Sequence, residues 1–88
     1  MAAANVASAY AQADRLAARG PSKATIVLRA QAHKTAAEGC RRFGDPAGAA
    51  RCAAHAVDLY LAVDAFFDPE LEYHARHADA MYRDLTGS

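Results

Sequence analysis

Among its 88 residues this chain has no tryptophan, two cysteines, three prolines and five glycines, and ten basic side chains cancel ten acidic ones. Each scarcity excludes something. Gly20, Gly44 and Gly87 stand alone at turns and only Gly39 and Gly48 fall inside helical patterns, so no glycine-rich loop is present to cradle a phosphate. Cys40 and Cys52 have no Cys-x-x-Cys spacing, which leaves them as small apolar packing groups rather than a redox or zinc motif. Zero net charge gives no global field toward nucleic acid or an anionic membrane. No apolar run approaches the roughly 18 residues of a membrane span, and MAAANVASAY lacks the basic start of a signal peptide. The expected setting is therefore cytoplasmic, with neither nucleic acid nor membrane insertion. No nucleophile elbow is present, so no serine or cysteine is set up for acyl transfer and the chain reads as a non-enzyme.

What is abundant is alanine, 25 residues of it. Alanine loses no side-chain entropy in a helix and lets helix backbones approach closely, so the excess points to an all-α bundle with short interaxial distances. A chain of this length makes one domain, residues 1–88, with a thin margin of stability. Side chains such as Tyr60, Val63, Phe66, Phe67, Leu71 and Tyr82 must then carry most of the hydrophobic energy, at about 25 cal/mol per Å2 buried.

Apolar periodicity gives three to four helices, at about 2–19, 22–43, 45–67 and 69–85. The first carries Val6, Tyr10, Ala13 and Ala17 and stops at Gly20-Pro21. Ser22 caps the second, whose stripe is Ile26, Ala30, His33, Ala37 and Cys40, and Gly44 ends it. Asp45-Pro46 opens the third, where Ala49, Ala53, Ala56, Tyr60, Val63 and Phe67 form one continuous line beside Cys52, Leu59 and Phe66. An arc that wide touches neighbours on two sides, which makes this helix the hub and Tyr60, Val63 and Phe67 expected core. Asp68-Pro69 repeats the opening device for the fourth helix, with Leu71, Ala75, Ala78, Tyr82 and Leu85 in line. Linkers of two or three residues force an antiparallel up-down array. The interior glycines Gly39 and Gly48 are expected to let the second and third helices approach near their shared turn.

Residues 13–30 and 37–54 share alanine at the start, basic residues before a turn of glycine followed by proline, and alanine after it, a weak internal repeat. AEGCRRFGDPAGAARCAAHAVDLYLAV resembles a tetratricopeptide unit. It is equally similar to the microtubule-interacting and trafficking (MIT) domain, whose central helix has an alanine-rich start followed by a segment like AHAVDLYLAVDAF. Two registers fit: Thr35 to Leu85 spans three MIT helices in one, and Ala7 to Phe67 spans them in the other, with 45–67 common to both. The resemblance implies a groove receiving motifs of ESCRT-III or autophagy-complex subunits.

Four histidines raise a metal-binding alternative. His74 and His77 are one turn apart with Glu70 a turn earlier, and His33 or His55 with Cys40 or Cys52 would have to complete the site. No repeated Glu-x-x-His supports a di-iron bundle, so no metal and no cofactor is expected. His33, on an apolar stripe, reads as a half-buried imidazole bonded to a neighbour such as a tyrosine hydroxyl or a backbone carbonyl. The reading reached is an adaptor domain that binds an amphipathic helix or linear motif in an interhelical groove, through Tyr60, Val63, Leu71, Ala75, Arg76, Ala78 and Tyr82. A homodimer that pairs one exposed stripe is the structural alternative.

Overall fold

A computed structural model describes residues 8–12, 14–15 and 22–87, and every regular element among them is helical. The protein is a small all-α bundle, as its alanine content and apolar periodicity require. Residues 8–12 and 14–15 are helical; the rest of the expected first helix and its Gly20-Pro21 stop lie outside the described residues.

The first full helix, α1, is Lys23–Phe43. Ser22 Oγ accepts from the Thr25 amide at 3.2 Å and supplies the expected cap. At the other end Gly44 takes the left-handed conformation, φ +86°, and its amide and that of Asp45 close onto the Arg41 and Cys40 carbonyls. That geometry is open to glycine at little cost and strains other residues. Asp45 then caps α2, Pro46–Ala62, through an Oδ1 that accepts from the Gly48 amide at 2.9 Å. Gly48 is buried, and the groups nearest to a Cβ added there belong to the capping carboxylate of Asp45, which it would overlap.

α2 stops five residues short of the expected Phe67. Asp64 adopts a left-handed conformation, φ +54°, which an aspartate tolerates better than most side chains, and a 3-10 turn of Ala65–Phe67 follows. The break shifts the phase of the chain. Ala65 takes the buried place, while Phe67 turns outward and is 88 % exposed, so its assignment to the core is corrected. Tyr60 is wholly buried as expected, and Val63 is half-buried.

The last helix, α3, is Glu72–Thr86, starting three residues after the expected Pro69. Asp68 still organises the turn: its Oδ1 accepts from the Glu70 amide and its carbonyl from those of Leu71 and Glu72. These bonds hold the Asp68 carboxyl below its ordinary range, the Glu70 amide first and the Lys23 ammonium second.

Ion pairs define the direction of the helices. Lys23 at the start of α1 meets Asp68 just before α3, and Arg41 at the end of α1 meets Asp84 near the end of α3. α1 and α3 therefore run parallel, and α2 packs antiparallel to both. All three helices are joined by fully buried small residues. Ala30 of α1, Ala56 of α2 and Ala75 and Ala78 of α3 close around Tyr60 and Ala65. A second cluster joins Ala36, Ala37, Cys52, Ala53 and Met81 to Ala9 of the N-terminal segment. Met81 lies off the expected stripe; its flexible thioether fills a gap that alanines leave. Among the described residues no helix is long and apolar enough to cross a membrane.

Candidate functional site

The seven residues expected to line a groove are brought together only in part, and mostly out of reach. Tyr60, Ala75 and Ala78 are sealed in the α2/α3 interface. Val63 and Leu71 are half-buried against the same cluster, and Tyr82 against the other. Arg76 alone is exposed, paired with Glu72 one turn earlier at 3.2 Å. An alanine stripe pulls two helices so close that the stripe itself becomes interior, and the accessible groove moves one step around each helix.

That neighbouring groove is present. Val57 and Leu61 of α2, Phe66 of the 3-10 turn, and Arg76, Asp79 and Arg83 of α3 enclose an open space of about 400 Å3. Val57 and Leu61 are one turn apart beside the buried Ala53-Ala56-Tyr60 line, and Arg76, Asp79 and Arg83 follow at helical steps beside Ala75 and Ala78. In the sequence these residues lie one position off the expected stripes. Leu61 is 57 % exposed, an apolar surface without cover. In each rim ion pair the arginine is the more accessible member, 67 % for Arg76 against 46 % for Glu72 and 65 % for Arg83 against 30 % for Asp79. The rim thus carries two arginines, each paired to a carboxylate that is the less accessible member, above an apolar floor.

A second groove lies between α1 and α3, about 310 Å3, lined by Glu38, Arg41, Arg42, His77 and Met81. Its charges are already engaged in part, since Arg41 bridges to Asp84 at 2.6 Å.

The histidines and cysteines form no cluster of three metal-ligating side chains among the described residues. His74 and His77 pack their rings against Tyr73. Cys40 and Cys52 are free thiols buried at the α1/α2 seam, and burial pushes the Cys40 thiol up. The Tyr10 hydroxyl pairs with the Cys52 thiol, and chiefly for that reason its own pKa is pushed up to about 12. His33 therefore lacks the tyrosine hydroxyl bond expected of it: Tyr10 presents its ring edge to His33, and His33 Nδ1 is buried without a partner among the described residues.

The chain matches no protein-family profile, no curated protein and no solved structure.

Proposed function

We infer that this bundle is a non-enzymatic interaction domain whose α2/α3 groove receives an amphipathic helix or short linear motif with an acidic edge. The carrying observation is the open groove of Val57, Leu61 and Phe66 beneath the accessible guanidinium groups of Arg76 and Arg83. An apolar face two turns long fills such a floor, and carboxylates along one edge of it meet the two arginines. The tetratricopeptide and MIT resemblance supports a helix-reading groove, and a trafficking or autophagy setting in the cytoplasm is what the MIT resemblance adds.

The test immobilises the full chain and two variants, Leu61→Asp and Arg83→Glu, maps the peptides each retains, and titrates the synthetic segments. Retained segments should be amphipathic with acidic edges, lose at least about tenfold in affinity to Leu61→Asp, and weaken with added salt. Equal binding to wild type and Leu61→Asp would exclude this groove. Exposed Leu61 and Phe67, near the same end of α2, favour one alternative, pairing of two copies. A dimer in sedimentation that dissociates in Leu61→Asp would establish that reading instead.

A further inference from the structure

Cys40 and Cys52 belong to no redox motif in the sequence, yet the α1/α2 hairpin brings them together. Both are free and buried at the seam. Ala36 and Ala37 of α1 pack with Cys52 and Ala53 of α2 in one cluster, which sets Cys40 three residues nearer the turn than the level of Cys52, about 4.5 Å along the axes. The side chains close that offset. A Cβ leans toward the N-terminus of its own helix, and the two helices are antiparallel, so Cys40 leans back to the level of Cys52 while Cys52 leans forward to the turn. Buried Gly39, Ala49 and Ala53 line the same seam and are too small to stand between the sulfurs. The Cys40 thiol accordingly feels Cys52 through both its charge and its hydrogen-bonding capacity.

We propose that Cys40 and Cys52 are an oxidisable pair: hydrogen peroxide converts Cys40 to a sulfenic acid, and Cys52 captures it as an intramolecular disulfide that staples α1 to α2 across the Gly44 turn. Cys40 reacts first because it is 7 % exposed and lies one turn from the end of α1, while Cys52 is 1 % exposed and bonded to the Tyr10 hydroxyl. Peroxide, little larger than water, suits so narrow an approach. The Cys40 thiolate attacks one peroxide oxygen: an S–O bond forms, the O–O bond breaks, and the departing hydroxide takes the thiol's proton to become water. Cys52 then attacks the Cys40 sulfur. The S–S bond forms, the S–O bond breaks, and hydroxide leaves with the Cys52 proton as a second water. Two thiols lose two electrons and two protons, and one peroxide becomes two waters.

Burial first, then Cys52 and Asp45, hold the Cys40 thiol above its ordinary 9.0, with Arg51 opposing them. Only the thiolate reacts, so near neutral pH the pair resists trace peroxide and responds to sustained exposure. The staple lies on the α1/α2 seam and involves none of the residues that line the α2/α3 groove, so it does not rest on what that groove receives.

The full chain, reduced and then freed of reductant, is treated with hydrogen peroxide and followed by intact mass, tryptic mapping and circular dichroism. The wild type should lose the mass of two hydrogens, run as a single chain on a denaturing gel without reductant, and yield the Cys40 peptide joined to the Cys52 peptide. Its melting midpoint should stand at least about 4 °C above that of the same sample after dithiothreitol, a comparison that leaves any methionine oxidation in both arms. The rate should climb about tenfold per pH unit between about pH 7 and 8.5, as the thiolate fraction does. Alanine fits the seam at either position. Cys52→Ala should stop at the sulfenic acid, trapped on Cys40 by dimedone, whereas in Cys40→Ala the remaining thiol should oxidise at least about tenfold more slowly than Cys40 does in the wild type. Disulfides only between chains, Cys40 passing to sulfinic acid with Cys52 untouched, a folded chain inert under conditions that oxidise it in urea, equally fast oxidation of Cys52 in Cys40→Ala, or a midpoint no higher than after reduction would each overturn the pair.

Discussion

Changing Tyr60 to Phe removes one oxygen from the centre of the bundle and is expected to stabilise it. Tyr60 is the largest fully buried side chain, enclosed by Ala30, Ala56, Ala65, Ala75 and Ala78, and its hydroxyl has no hydrogen-bond partner among the described residues. An unsatisfied buried hydroxyl costs about 1–3 kcal/mol relative to water. Against that stands the void left by one oxygen, roughly 15 Å3, which at about 24 cal/mol per Å3 amounts to about 0.4 kcal/mol. The hydroxyl term wins, and the net gain is about 1–2 kcal/mol. For a domain of this size each kcal/mol moves the midpoint by about 4–8 °C, so Tm should rise by at least about 4 °C. The assay is thermal and urea unfolding followed by circular dichroism at 222 nm, with the urea m-value unchanged. A fall in Tm on losing the oxygen would refute the reasoning, since it would mean that the hydroxyl is bonded. Tyr60→Ala is the control: it deletes the ring as well and should cost about 3–5 kcal/mol, a large share of the stability of an 88-residue chain.

Burial raises the Tyr60 hydroxyl above its ordinary 10.0, so the folded state holds that proton when the unfolded chain has released it. The associated stability is intact below pH 10 and lost as pH rises beyond it, and alkaline unfolding should be delayed in Tyr60→Phe. Gly44→Ala places a Cβ on a residue with φ +86° and should lower stability by about 1–2 kcal/mol in urea titrations, although nothing lies within 4 Å to clash with it. Ala56→Leu forces three methyl-sized groups into a fully closed seam and should cost about 1–3 kcal/mol with broadened side-chain NMR signals. An unaffected Ala56→Leu protein would show that the alanine seam is looser than described.

The chemistry of helix ends was readable because it is local. Ser22, Gly44 and Asp45-Pro46 act through bonds spanning three to five residues, and each does in the structure what its identity demands. The break after Ala62 was less visible. VDAFF continues the apolar spacing, and only the left-handed turn at Asp64 moves Ala65 inward and Phe67 out. Nothing in periodicity distinguishes a phenylalanine that completes a stripe from one that follows a change of phase.

The groove shows the same division. Sequence by itself determined that the chain is a helical bundle, where α1 and α2 begin and where α1 ends, and that α2 is shared by two neighbours. It also marked Ala75, Ala78 and Tyr60 as members of one face. Whether that face is a binding surface or an interior depends on how close two helix axes come, which is a property of the pair. Alanines on both sides bring α2 and α3 together until the stripe is sealed, and the accessible site passes to Val57, Leu61, Phe66, Arg76 and Arg83. Tertiary structure likewise decided that His33 should face a second histidine and the N-terminal segment, because residues far apart in sequence acquire a shared electrostatic environment only once helices have packed.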